Sequence, residues 1–165
     1  MKLSEARYDN SATGCCAPAD PAQWHEQVHH WRDALFVKDH VHEILHVPVD
    51  FGVVMRRDTA AIDAAEAWPL VPVTLSDERS PWGADLYIAV DRPVPGRELA
   101  ILSGTYLSRL YQGSFREVGH WMQDMKSWVA HRGQRLEHLY LYYATCPKCA
   151  HKLGHNDVVL VAQVA

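Results

Sequence analysis

Four cysteines, the residues best suited to hold a transition metal or to form a disulfide, stand in two pairs near the two ends of this 165-residue chain. Cys15 and Cys16 are adjacent in "TGCCAP", and Cys146 and Cys149 form a Cys-Pro-x-Cys motif in "TCPKCAHKLGH". Both thiolates of a Cys-x-x-Cys turn can point at one ion, but a tetrahedral zinc site needs two more ligands. The motif is therefore half of a site.

Two completions of the half-site are possible. Cys15 and Cys16 can supply the missing ligands, since Gly14 permits the irregular backbone that adjacent ligands require. Alternatively, His151 and His155 complete a local cluster, although that spacing is short for two ligands on one ion. We favour the four-cysteine site, with zinc as the ion that such ligands select, and expect it to be structural rather than catalytic.

Other interpretations of the cysteines stay open. The Cys-Pro-x-Cys motif resembles the turn of disulfide oxidoreductases, whose first cysteine is activated at a helix N-terminus. This motif instead connects two hydrophobic runs that predict strands, so redox catalysis is less favoured than a metal. Reduced cysteines without a role are the remaining alternative.

Composition and charge bound the class of protein. The chain is 48% hydrophobic and 22% charged, as in ordinary globular domains, and its net charge of −4 argues against a nucleic-acid binder with a large positive field. No apolar run approaches the ~20 residues of a membrane span, and the first residues lack the apolar core of a secretory signal. We therefore predict a cytoplasmic protein with reduced cysteines and neither nucleic-acid nor membrane partners.

The predicted elements form the order strand–helix–strand–strand twice, after an irregular arm over residues 1–33 that carries the first cysteine pair. The domain itself is predicted over residues 34–165. The two helices are predicted over residues 51–68, with Asp50 as N-cap, and 115–132, with a Ser114–Glu117 capping box. The strands are predicted at 34–49, 69–78, 84–90, 97–113 (broken at Ser103–Gly104), 138–144 and 157–164. Each helix covers one face of its unit, and we expect the other faces to surround a shared groove.

The second strand–helix unit resembles the GyrI-like, or effector-binding, domain family. The likeness rests on a pattern of an aromatic residue, a glycine, a second aromatic residue, and then a helix that contains tryptophan and ends at a glycine. These residues are Tyr111, Gly113, Phe115, Trp121, Trp128 and Gly133. The resemblance implies an α+β fold in which two strand–helix–strand–strand units, related by a pseudo-twofold axis, share a ligand groove. It also implies a stand-alone member, since no helix-turn-helix precedes the domain. Some such members hydrolyse strained, electrophilic small molecules with a groove carboxylate among aromatic residues.

The groove candidates follow from that expectation. Glu78 ends a strand, where its side chain can reach the groove, and is the predicted catalytic carboxylate that activates water. Glu117 is assigned to the capping box instead. The predicted ligand-binding residues are Trp82, Asp85, Tyr87, Tyr106, Tyr111, Tyr140 and Tyr142. The function predicted is a small-molecule hydrolase or detoxifying protein, with two alternatives: a non-catalytic protein that binds a drug-like or cationic ligand, and a thiol redox or metal-handling protein.

Overall fold

The computed structural model describes residue 11 and residues 13–165, and a seven-stranded antiparallel sheet dominates it. The described residues contain four α-helices and seven strands. In chain order they are α1 (Pro21–Trp24), β1 (Gln27–Ile44), β2 (Val47–Pro48), α2 (Phe51–Ala64), β3 (Thr74–Ser80), β4 (Gly83–Ala89), β5 (Glu98–Gly113), α3 (Val118–His131), β6 (Leu136–Tyr143), α4 (Pro147–Leu153) and β7 (Asn156–Val164). The predicted double strand–helix–strand–strand order is confirmed as β1-α2-β3-β4 and β5-α3-β6-β7. None of the helices in the described ranges is long and apolar enough to cross a membrane.

The sheet closes on itself. Its strand order is β2-β1-β4-β3-β6-β7-β5, and β1 pairs with β5 as well as with β4. The first part of the long strand β1 pairs with β5, from Gln27 opposite Ser108, and its later part pairs with β4, down to His42 opposite Gly83. Six strands therefore form a barrel, and only the short β2 lies outside it as an extension of β1. Closure gives every barrel strand an inner and an outer face.

The barrel interior is a packed aromatic core. Alternate residues of the strands face inward, among them Phe36, Leu75, Tyr87, Tyr106, Tyr140, Tyr142, Val159 and Val161, and all of these are buried. The predicted free faces of the two units thus meet each other across the interior. They form the main core, because the pairing of β1 with β5 closes the sheet.

Each long helix covers part of the outer face. α2 buries Val54 and Ile62 against the outward side chains of β1 and β4, and α3 buries Trp121, Met125 and Val129 against β5, β6 and β7. The capping box predicted at the start of the second helix is confirmed: Ser114 Oγ accepts from a backbone amide, and Glu117 accepts from the Ser114 backbone N–H at 3.1 Å. Gly133 ends this helical segment at a φ of +70°, which glycine adopts without strain.

Three element predictions are corrected. Regular structure begins before residue 34, with α1 and the first residues of β1 inside the predicted arm. The irregularity expected at Ser103–Gly104 lies in the partner strand, where the register shifts between Trp31 and Ala34. Asp50 makes no side-chain cap for α2, because its carboxylate instead accepts from the ring and the backbone N–H of His42.

Residues 13–26, here called the N-terminal segment, close one end of the barrel. Trp24 is buried with its ring 5.4 Å from that of Tyr142, and its carbonyl accepts from Ser108 Oγ at 2.8 Å. Ser108 also bonds to the buried His29 at 2.6 Å, and burial lowers the pKa of His29 to about 4, so this imidazole is neutral near pH 7. The backbone N–H of Ala19 donates to Asp157, which is fully buried, at 2.9 Å. The segment is thus held by both apolar and polar contacts.

Candidate functional site

The four cysteines meet at the end of the barrel that the N-terminal segment closes. Their Sγ atoms all lie within 4.8 Å of one another, although the two pairs are 130 residues apart in the chain. The N–H of Cys146 points at Cys16 Sγ at 3.4 Å, and Cys15 Sγ is 3.8 Å from Cys16 Sγ. For sulfurs around zinc at about 2.3 Å, the edge of a regular tetrahedron is about 3.8 Å. The cluster therefore has the dimensions of a thiolate metal site.

Local structure explains how each pair reaches the cluster. Gly14, at a φ of +73°, turns the chain so that the adjacent Cys15 and Cys16 face the same point. Cys146 is the N-cap of α4 and Cys149 lies one turn later, on the buried side of that helix. The connection between β6 and β7 is therefore a short helix inside a hairpin, where the sequence predicted a hairpin alone.

The electrostatics of the cluster favour a bound cation. Burial raises the pKa of the Cys16 thiol to about 12, whereas the backbone N–H of Cys16 lowers the pKa of Cys149 to about 6. Four neighbouring thiolates repel one another in the absence of a positive ion, and a metal removes that repulsion. The four residues thus fit a soft divalent ion by ligand type, number and spacing.

The alternative ligand pair is not brought to the cluster. His151 is exposed on α4, and His155 pairs with the buried Asp157, its Nδ1 2.8 Å from Oδ1. Among the described residues, the four cysteines form the one group with metal-binding spacing. The geometry therefore supports the four-cysteine combination.

A second candidate site lies on the outer face of the barrel, where β3 pairs with β6. Leu75 points inward, so Ser76 and Glu78 point outward, and the Glu78 carboxylate accepts from Tyr143 Oη at 2.8 Å and from Ser76 Oγ at 3.1 Å. This place lies between the strip of the sheet that α2 covers and the strip that α3 covers. Phe115, just before α3, packs edge-on against Tyr143 with ring centres 5.7 Å apart.

Glu43, a second carboxylate, belongs to this outer site. It is 8% exposed near the end of β1, and its Oε2 has no hydrogen-bond partner among the described residues. Burial, followed by the charge of Glu78, raises the pKa of Glu43. Burial and the negative charges of Glu78 and Glu43 also raise the pKa of Tyr143, which remains a neutral hydrogen-bond donor. One carboxylate that accepts a hydrogen bond and a second, more buried carboxylate thus lie near one phenol.

Apolar surface surrounds the outer site. Trp82, in the β3–β4 turn, is 62% exposed, and its carbonyl accepts from the N–H of Glu43 at 2.9 Å. Exposed apolar side chains continue after Glu43, at Ile44, Leu45, Val47, Val49, Phe51 and Val53. On the other side of Glu78, an open depression of about 200 Å³ is lined by Met122, Lys126, Leu139 and Leu141, among others. Exposed apolar patches beside polar groups are typical of ligand-binding surfaces.

The structure does not bring the predicted ligand-binding tyrosines to this site. Tyr87, Tyr106, Tyr140 and Tyr142 lie in the barrel interior, at most 9% exposed. Tyr111 packs under α3, where it stacks on Trp121 and donates to Asp124 at 2.7 Å. Alternation along a strand shows which residues share a face, but not which face closes into a core.

Asp85 lies at the far end of the barrel, in a polar cluster of the inner face. It accepts from His40 Nδ1 at 2.8 Å, while the neighbouring buried Asp77 accepts from Arg79 and from His138 Nε2 at 2.8 Å. A small depression of about 140 Å³ lies there. Since each carboxylate is already paired, this cluster satisfies polar groups at the barrel end.

Sequence reasoning missed Glu43 and Tyr143 as members of the outer site. Glu43 lies inside the strand predicted over residues 34–49, and alternation places Tyr143 on the face opposite to Tyr140 and Tyr142. The alternation of side chains could have identified Tyr143. It shares its face with Leu139 and Leu141, and an outward-facing Glu78 on the neighbouring strand would lie beside it.

Comparisons with known proteins agree with this architecture. A hydrolase from Listeria innocua superposes with a TM-score of 0.59 at 13% identity, over 86% of this chain and 92% of that one. The EcmrR C-terminal domain gives 0.63 at 9% identity, over 86% and 98%. SAV2435, solved bound to tetraphenylphosphonium, gives 0.51 at 10% identity, over 85% and 93%. Among curated proteins, none matches the chain.

These similarities define the class of fold as GyrI-like α+β, as the sequence predicted. The family model described as "Bacterial hydrolase" matches residues 6–164, and the chain belongs to that family.

Substitutions of two tyrosines test which side chains are core. We expect Tyr106→Phe to leave the free energy of unfolding unchanged or to raise it by up to about 1 kcal/mol, because its buried hydroxyl has no partner among the described residues. Tyr111→Phe should lower it by about 1–3 kcal/mol, because it removes a hydrogen bond to the Asp124 carboxylate. Urea unfolding measures both. An equal loss for the two variants would contradict the assignment of Tyr106 to a dry core.

Proposed function

We propose that this protein is a small-molecule hydrolase that acts at the outer site, with Glu78 as the general base. The observation that carries the proposal is the Glu78 carboxylate, which Tyr143 orients at 2.8 Å beside the buried Glu43 and an exposed apolar surface. Membership of a bacterial hydrolase family supports the reaction class. The reduced cysteines further support a cytoplasmic location.

The chemistry suits a strained, electrophilic substrate such as an epoxide. Glu78 takes a proton from water as the water oxygen attacks a ring carbon, and the ring C–O bond breaks. The departing oxygen takes a proton from Glu43, the proposed general acid, so that the product is a diol; burial raises the pKa of this carboxyl group, as suits that role. Trp82 and the neighbouring apolar side chains hold the hydrocarbon part of the substrate.

Replacement of Glu78 tests this assignment. With styrene oxide as the probe, we expect Glu78→Gln to lower the rate of diol formation by about 10²–10⁴-fold, because the amide cannot accept the proton of water. Glu98→Gln, an exposed carboxylate at the start of β5, is the matched control and should keep the wild-type rate. Formation of the diol is measured by chromatography, and the fold of each variant by circular dichroism.

Full turnover by Glu78→Gln would refute the general-base role. If wild-type protein shows no turnover of styrene oxide while tetraphenylphosphonium quenches Trp82 fluorescence, the alternative of a non-catalytic binding protein holds instead. That alternative is favoured by the exposed aromatic and acidic side chains and by the ligand bound to SAV2435. Trp82→Phe, which should abolish the quenching, identifies the tryptophan that responds.

We also propose that the four cysteines hold one structural zinc ion that fastens the N-terminal segment to α4. Four thiolates would fill all the ligand positions of a tetrahedral ion, so that no position would be open for a substrate or for water. The ion would tie down a segment that places Trp24 in the barrel end. Zinc is therefore expected to contribute to stability rather than to turnover.

Metal analysis of protein purified without a histidine tag tests the zinc assignment. We expect about one equivalent of zinc per chain, and a large loss of bound zinc in Cys16→Ser and Cys146→Ser, because each variant removes one thiolate ligand. His151→Ala is the matched control and should retain its zinc, since His151 is exposed and lies outside the cluster. Wild-type protein with negligible metal and four titratable thiols would contradict the assignment.

A further inference from the structure

The cysteine cluster also has the arrangement of an oxidation site. We propose that a peroxide converts it into a disulfide that joins the N-terminal segment to α4, so that this segment stays fastened after the metal is lost. The inference rests on the proposed zinc only for the metal-release step, since the disulfide requires nothing but the four thiols. The observations that carry it are the exposures of the four sulfurs and the distances between them.

Exposure determines which cysteine an oxidant meets first. Cys15 is exposed, Cys16 and Cys146 are half-buried, and Cys149 is 2% exposed. Oxidation of thiols follows solvent access together with thiolate character, and a bound metal would hold all four sulfurs as thiolates. Access therefore selects Cys15 as the first sulfur to react.

Backbone geometry then selects the partner of Cys15. Cys16 Sγ is 3.8 Å away, but adjacent residues have Cα atoms about 3.8 Å apart across a trans peptide. That separation is below the roughly 4.4–6.8 Å that disulfides span, and a bond between Cys15 and Cys16 would be strained. The remaining thiols within 4.8 Å belong to Cys146 and Cys149, on the other side of the junction. The disulfide consequently crosses from the N-terminal segment to α4.

The reaction balances with one peroxide for each disulfide. The Cys15 thiolate attacks a peroxide oxygen, the O–O bond breaks, and a sulfenic acid forms. The hydroxide that leaves hydrogen peroxide takes up a proton to become one water. The thiolate of Cys146 or Cys149 then attacks the Cys15 sulfur, and the hydroxide that leaves takes up a proton to become a second water. The two sulfurs have lost two electrons to the peroxide. A bound zinc ion would then keep only two of its four thiolate ligands and would dissociate.

The N-terminal segment is consequently attached to α4 in two chemical states of the cysteines. In the reduced protein the metal joins the N-terminal segment to α4, and in the oxidised protein a covalent bond joins the same two elements. Trp24 and Ala19 stay in the barrel end in both states, because neither state releases the residues that precede them. The barrel core is thereby kept closed under oxidative conditions that remove the metal.

Peptide mapping of the full-length protein tests the proposal directly. The protein is treated with hydrogen peroxide, alkylated without reduction and digested with trypsin, and its zinc content is measured beforehand. Lys148 lies between Cys146 and Cys149, so cleavage after it separates these two cysteines into different peptides. We expect the peptide that contains Cys15, which ends at Arg32, to be disulfide-linked to one of those two peptides, with one zinc ion released per chain to a chromogenic chelator.

Three results would overturn the proposal. They are a disulfide between Cys146 and Cys149 with the Cys15 peptide alkylated, a disulfide between Cys15 and Cys16, and four alkylated thiols after peroxide treatment. Cys15→Ser should slow the formation of the cross-linked peptides relative to wild type. In Cys16→Ser the cross-linked peptides should still form. If the protein contains no zinc but the cross-link forms, the metal assignment fails and the oxidation site stands.

Discussion

The antiparallel pairing of β1 with β5 is the constraint on which the rest of the structure depends. An 18-residue strand is long enough to pair with β5 along its first half and with β4 along its second, and this closes six strands into a barrel. Closure turns the inner faces of both strand–helix–strand–strand units into one core of aromatic and branched side chains. The same closure leaves the helices, and any open binding surface between them, on the outside.

Closure also creates two barrel ends, which are lined by different kinds of residue. At one end, paired polar groups such as Asp77 with His138 and Asp85 with His40 meet solvent. At the other end, the N-terminal segment inserts Trp24 beside Tyr142. A segment this short buries little surface of its own, so extra fastening at its start stabilises its position. The cysteine cluster lies where that fastening is needed, next to the buried Asp157 that accepts from Ala19.

The sequence predicted the order of the elements, the capping box and the four-cysteine cluster, because each rests on local chemistry or on strong ligand preference. Ser114 and Glu117 satisfy their own helix start, and four cysteines in two pairs leave few ways to complete one site. The positions of the tyrosines could not be predicted in the same way. Alternation correctly placed Tyr140 and Tyr142 on one face, but long-range pairing of β1 with β5 decides that this face is the interior. For the same reason, alternation alone did not identify Tyr143 as the hydrogen-bond partner of Glu78.

A closed barrel leaves only the outer aromatic side chains accessible to solvent. Hydroxyl-radical footprinting, read residue by residue by mass spectrometry, measures the solvent access of each aromatic side chain in the intact protein. We expect rapid modification of Trp82 and Tyr143, which are 62% and 37% exposed, and protection of Tyr106 and Tyr140 in the core. Modification of Tyr106 and Tyr140 at the rate of Tyr143 would show that the barrel interior is open to solvent.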